Sequence, residues 1–345
     1  MHTSGAVGAR IGGLSAPQLA LHDLSIWALP FFLATAGYFH AAGAPAGGRP
    51  ASWLGRRLAR LAVPFLAFTA LYRAYALQHF HERYSWFLLR HDLIYGTASA
   101  HLWFLPVLIW CSVIVWLVER TEWNGARGAL LGVSAAGAVA YIVIAADAAP
   151  GAAYGYYLYR TPLFWLLFYV LGWELARRRG ENAGQSGGRP AVRGAAPADG
   201  RPAARVAPPA PSAARFAERA SAVWTWLALA AGAACLVASR LPGPAQVVAL
   251  YYVGAGLAGV AAAALAVRRP GRRLGRLVRT LAAATLGFYL LHFFVLDLFL
   301  TYVPLSGWRY GSGLYELIAF AAVALVTAGV VVAARCWRPL RWVFG

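Results

Sequence analysis

Nine apolar stretches recur along the chain, near residues 24–41, 61–80, 101–118, 127–147, 156–176, 221–241, 245–267, 281–302 and 314–336, and most of the segments between them are short. A helix needs roughly 20 apolar residues to cross a hydrocarbon core of roughly 30 Å. The runs approach that length. They do not alternate apolar with polar positions, as the strands of a membrane barrel would. The pattern therefore predicts an all-α, polytopic membrane helical bundle with nine transmembrane helices visible. The stretches "LLGVSAAGAVAYIVIAA" and "YYVGAGLAGVAAAALAV" are rich in small residues, which let helix backbones approach closely.

One long interval breaks the pattern. Residues 177–220, "RRRGENAGQSGGRPAVRGAAPADGRPAARVAPPAPSAARFAER" and the alanine after it, hold almost no bulky apolar side chains. Such a composition cannot bury enough surface to order itself. It is predicted to be a flexible Arg/Pro/Ala-rich cytoplasmic linker, with 1–176 and 221–345 forming one membrane-embedded domain. The opening "MHTSGAVGAR" has neither the basic start nor the apolar run of a signal peptide.

Composition strengthens the membrane reading. Of 345 residues 60% are hydrophobic and 12% charged, with a mean hydropathy of +0.57; soluble domains carry about 25% charged residues. The net charge of +19 would point to nucleic acid in a soluble protein, but here its placement matters more than its sum. Of the 31 basic residues, all arginine, 24 fall in alternate connections or at span ends facing them: Arg49, Arg56, Arg57 and Arg60; Arg120 and Arg127; then 177–219, 268–279 and 335–341. The positive-inside rule makes that side cytoplasmic. The C-terminus is then inside and, with nine spans, the N-terminus outside. No nucleic-acid partner is expected. Cys111, Cys235 and Cys336 lie scattered in apolar segments without CxxC spacing, so neither a disulfide framework nor a metal site is expected.

Ionisable groups at membrane depth are costly and are functional candidates by default. His2, His22, Arg73, His101, Arg160, Glu174, His292 and Asp297 lie in or near spans. Arg160 and Glu174 are near span ends, where long side chains snorkel to water. Arg73, deep in the second span, requires a partner. Asp297 follows His292 by five residues, which allows either a buried pair or independent placement. The segments "HLWFLPVLIW" and "TLGFYLLHFFVLDLF" make His101, Trp103, Tyr289 and His292 candidates to line a cavity; interfacial aromatic anchoring is the plainer alternative.

Read in order, "IWALPFFLATAGYFHA" (26–41), "WLGRRLARLAVPF" (53–65), "HLWFLPVLIW" (101–110), "YRTPLFWLLFYVLGWELARR" (159–178) and "TLGFYLLHFFVLDLF" (285–299) form a series. It resembles the acyltransferase family 3 membrane proteins, a bacterial group that O-acylates sugars and related acceptors. The resemblance implies a helix ahead of the Pro-Phe-Phe span, bearing an arginine and then a histidine at its outer part. His2 stands where that histidine would be, so Met1 reads as an internal methionine, the chain lacks most of helix one, and the family's complement is ten spans. By the same resemblance His2 is the catalytic base, and Arg56, Arg57 and Arg60, of which the last two form RxxR, bind acyl-CoA. "TAGY" has Ala36 where the family usually has serine.

The implied reaction transfers an acyl group, in the first instance acetyl, from acyl-CoA to a hydroxyl of a glycan or small metabolite, within the lipid bilayer of the inner membrane. Acyl-CoA is a co-substrate, and no permanently bound cofactor is implied. An imidazole, which titrates near neutrality, suits the base. Arginine forks suit the phosphates of the carrier. The rival reading is a transporter or flippase for a small polar or lipid-linked solute, against which the lack of an inverted-repeat pattern counts. A non-catalytic membrane scaffold is a third.

Overall fold

The computed structural model describes residues 28–42, 50–80, 85–99, 101–123, 125–147, 157–186, 225–236, 246–266, 286–299, 302 and 313–337. Among them are ten helices and no strand: α1 Ala28–Ala41, α2 Ala51–Phe80, α3 Trp86–Tyr95, α4 Phe104–Glu119, α5 Ala126–Asp147, α6 Pro162–Ser186, α7 Thr225–Leu236, α8 Gln246–Ala266, α9 Leu286–Phe299 and α10 Gly313–Cys336. Each of the nine apolar stretches coincides with a helix. Two segments, Ala126–Ile144 of α5 and Ile318–Cys336 of α10, are long and apolar enough throughout to cross a membrane; α4, α7, α9 and Val253–Leu265 of α8 are apolar but shorter. The exposed side chains of α5 and α10 include Val133, Val139, Val143, Phe320, Leu325 and Val332. Such a surface suits lipid, not water.

Three elements differ from the sequence expectation. α2 begins at Ala51, ahead of the apolar stretch expected from 61, so Arg56, Arg57 and Arg60 sit on its first turns. Its 30 residues amount to about 45 Å of rise, more than a hydrocarbon core. α6 runs on to Ser186, past the boundary expected at 176. The linker's remainder, 187–220, lies outside the described residues. α3 was not expected at all. Ser85 caps its first turn by accepting from the Leu88 N–H, and Gly96, at φ 61°, ends it in the left-handed conformation that glycine adopts without strain.

The bundle is held by small-residue crossings. A Cβ added to Gly37 would stand 1.9 Å from the Tyr169 carbonyl oxygen, and one added to Gly172 would stand 1.8 Å from that of Ala34. α1 and α6 therefore touch backbone to backbone. Gly137 lets α5 approach Leu163 at the start of α6, and Gly232 and Gly254 do the same for α7 and α8. The two Ala/Gly-rich stretches thus make the close contacts expected of them. Around these crossings pack Leu33, Phe65, Leu105, Phe164, Tyr169 and Trp173, all buried. A cavity of about 500 Å³ lies between α5, α6, α7 and α8, walled by apolar side chains and Thr225.

Candidate functional site

At one end of the bundle four helices deliver polar side chains to a single point. α2 supplies Arg57, one turn beyond Trp53. α4 supplies Ser112 and, two turns on, Glu119 as its last residue. α6 supplies Tyr169 and, one turn on, Trp173. The last turn of α1 supplies His40. Residues four or seven apart share a helix face, so each helix presents its pair together.

The Tyr169 hydroxyl is the hub. It lies 2.6 Å from His40 Nδ1, 3.0 Å from Ser112 Oγ, and accepts from Arg57 Nη2 at 3.0 Å. Arg57 also donates through Nε to Ser112 Oγ at 3.1 Å and through Nη2 to the Ala36 carbonyl at 3.2 Å. Ser112 donates to the Leu108 carbonyl at 2.7 Å. His40 Nε2 faces Glu119 Oε2 at 3.6 Å, and Trp173 Nε1 donates to Glu119 Oε1 at 2.7 Å. The Trp53 ring lies beneath the guanidinium at 5.5 Å and beside His40 at 4.9 Å. His40, Ser112 and Tyr169 have no exposed surface. Arg57 is half-buried, and no carboxylate pairs with it among the described residues. A desolvated cation resting on neutral oxygens favours an arriving anion.

Of the three arginines expected to bind acyl-CoA, the structure turns one inward. Arg57 enters the bundle, while Arg56 and Arg60 are exposed on α2. His40 and Glu119 escaped the sequence reading. The signal was a histidine in the last turn of "GYFHA" and an acid closing "VWLVE", both masked by apolar neighbours.

A second polar set lies far along the same helix. Fifteen residues separate Arg57 from Tyr72, about 22 Å of helical rise. Arg73 finds its partner here: its Nη2 donates to Asp92 Oδ1 at 2.6 Å and its Nε to Oδ2. Asp92 is fully buried and also accepts from the Thr97 hydroxyl at 2.6 Å. Arg160 does not snorkel as expected. It is 5% exposed and donates to the Gly96 and Tyr95 carbonyls at the end of α3, where unpaired carbonyls and the negative end of the helix dipole attract a cation. Glu174 instead pairs with Arg127 and Arg178.

His101 follows in the turn before α4. It is buried, with Nε2 3.2 Å from the Leu290 carbonyl and Nδ1 3.1 Å from Ser99 Oγ. Tyr289 donates to the His101 carbonyl at 2.6 Å, and the His292 ring sits 5.4 Å from that of His101. Three of the four candidate cavity residues thus come together. Trp103 packs apart from them, on Tyr159 and Trp165. None of the four lines the 500 Å³ cavity. His2 and His22 lie outside the described residues.

The family model described as an acyltransferase domain (Acyl_transf_3) matches residues 1–335. No curated protein and no solved structure matches the chain.

Proposed function

We propose, because this chain belongs to the acyltransferase family 3 and is a membrane acyltransferase, that it moves an acetyl group from acetyl-CoA to a hydroxyl of a glycan or small metabolite. The protein is multi-pass in the inner membrane with its C-terminus in the cytoplasm. The donor arrives at the end of the bundle that carries Arg57. There the guanidinium, with the exposed Arg56 and Arg60 around it, holds the anionic part of the coenzyme.

His2 takes the proton from the acceptor hydroxyl. The hydroxyl oxygen attacks the thioester carbonyl, and the tetrahedral oxyanion collapses. The carbon–sulfur bond breaks, and the departing thiolate takes up the proton. The bundle excludes the water that would otherwise hydrolyse the thioester.

One observation carries this reading: Arg57 is directed into the protein, half-buried, with no carboxylate partner among the described residues. Charge-assisted hydrogen bonds contribute roughly 1.5–3 kcal/mol, and each 1.4 kcal/mol is about tenfold in affinity. Replacing Arg57 with Gln is therefore expected to weaken coenzyme A binding to the detergent-purified protein at least tenfold. His2→Ala is expected to abolish transfer of radiolabelled acetyl groups to membrane acceptors while leaving coenzyme binding intact. Unchanged coenzyme affinity in Arg57→Gln removes the donor assignment, and full transfer activity in His2→Ala removes the base.

A further inference from the structure

The hydrogens of the inner cluster can be assigned by counting donors and acceptors. Ser112 spends its proton on the Leu108 carbonyl at 2.7 Å. Arg57 directs one N–H at the Tyr169 oxygen and another at Ser112. The Tyr169 proton then has two destinations, Ser112 Oγ at 3.0 Å or His40 Nδ1 at 2.6 Å. Glu119 decides between them. Its carboxylate faces His40 Nε2 at 3.6 Å and is fixed by the Trp173 indole. A bare Nε2 lone pair against a carboxylate is repulsive, whereas an Nε2–H is attracted. Nε2 therefore carries the proton in the neutral ring, Nδ1 is the acceptor, and the tyrosine hydroxyl points at His40. Its oxygen lone pairs are thereby left facing Arg57.

We propose that Glu119 and His40 are positioning residues for Arg57: the carboxylate selects the His40 tautomer, the imidazole fixes the rotation of the Tyr169 hydroxyl, and that oxygen holds the guanidinium in the one orientation that receives the anionic donor. The last step rests on the donor assignment above; the first two do not. The chain of contacts is short and drawn from four helices, with His40, Ser112 and Tyr169 fully buried, so its hydrogen bonds polarise and reinforce one another. It is the same outer-shell logic by which a carboxylate behind a histidine sets which ring nitrogen acts.

Glu119→Gln tests the chain of command. The amide oxygen still accepts from Trp173, but the amide N–H now points at His40 Nε2 and reverses its tautomer. Two measurements follow on the full-length protein in detergent micelles. In ¹⁵N spectra of the histidine side chains, the His40 signals of the parent protein should show protonated Nε2, and those of Glu119→Gln protonated Nδ1. Coenzyme A affinity should fall three- to tenfold in Glu119→Gln, and Tyr169→Phe, which removes the hydroxyl without adding volume, should match it. Thermal midpoints of both variants should stay near that of the parent.

An unchanged tautomer in Glu119→Gln overturns the proposal. So does a reversed tautomer with unchanged coenzyme affinity, provided Arg57→Gln weakens binding. If Arg57→Gln leaves affinity untouched, the donor assignment fails alone, and the ¹⁵N spectra still decide whether Glu119 governs His40. If Glu119→Gln does not fold, Tyr169→Phe decides by the same two measurements: undisturbed His40 signals with undiminished affinity overturn the proposal.

Discussion

Asp92 has no exposed surface, and its charge is tolerated because Arg73 reaches it from α2 with two hydrogen bonds and Thr97 adds a third. Removing one member of a buried ion pair costs roughly 3–5 kcal/mol, because the other charge stays desolvated. Asp92→Asn should therefore lower the thermal unfolding midpoint in detergent sharply, and Arg73→Met combined with Asp92→Leu should restore part of the loss. A variant Asp92→Asn as stable as the parent would mean the pair contributes nothing. The sequence announced half of this contact. An arginine deep in an apolar run must be satisfied, which marks Arg73; Asp92 carries no such mark, because it lies in a short helix that hydropathy does not pick out. The same asymmetry hid His40 and Glu119. A polar residue at the end of an apolar helix reads as water-facing until the neighbouring helices are in place.

Helices were legible as long apolar runs wherever the lipid dictates composition. α3 was not, because ten residues held by a serine cap, a left-handed glycine and two arginines from other elements carry no periodic signal of their own. The α1–α6 crossing was half legible. Small residues foretold close packing, but the sharpest case arises from single glycines in "TAGY" and "VLGW", not from the alanine-rich stretches. An added methyl at Gly172 would sit 1.8 Å from the Ala34 carbonyl oxygen, and backbone cannot rotate aside. Overpacking usually costs about 1–3 kcal/mol, so Gly172→Ala should lose folded protein or drop its midpoint by several degrees. Gly132 of α5 has open space around the added methyl. There Gly132→Ala should be neutral or stabilise by up to about 1 kcal/mol, through helix propensity alone. Equal effects of the two substitutions, followed by fluorescence-detected thermal unfolding, would contradict the crossing described.

Among the described residues the arginines of the bundle sort by end. Arg57 meets Tyr169 of α6, Arg127 pairs with Glu174, and Arg127 and Arg177 lie over the Trp173 ring at 5.8 and 5.0 Å. These cations gather around one stretch of α6, while Arg73 and Arg160 serve the far end by α3. The alternate-connection count in the sequence puts Arg57, Arg127 and Arg177 on one side and Arg160 on the other, while Arg73, deep in its span, belongs to neither set. Which end faces the cytoplasm is the step on which donor entry depends, and one labelling experiment reads it. Cys111 is buried and Cys336 exposed, so the background is Cys235→Ser with Cys336→Ser. Ser52 and Arg90 are exposed on α2 and α3, at opposite ends of the α2 axis, and each is replaced by cysteine in turn. A membrane-impermeant maleimide on intact cells should label Arg90→Cys and spare Ser52→Cys, which reacts only once the cells are opened. Labelling of Ser52→Cys from outside would put the Arg57 cluster on the side where no cytosolic thioester can reach it, and acetyl-CoA could not be the donor that cluster receives.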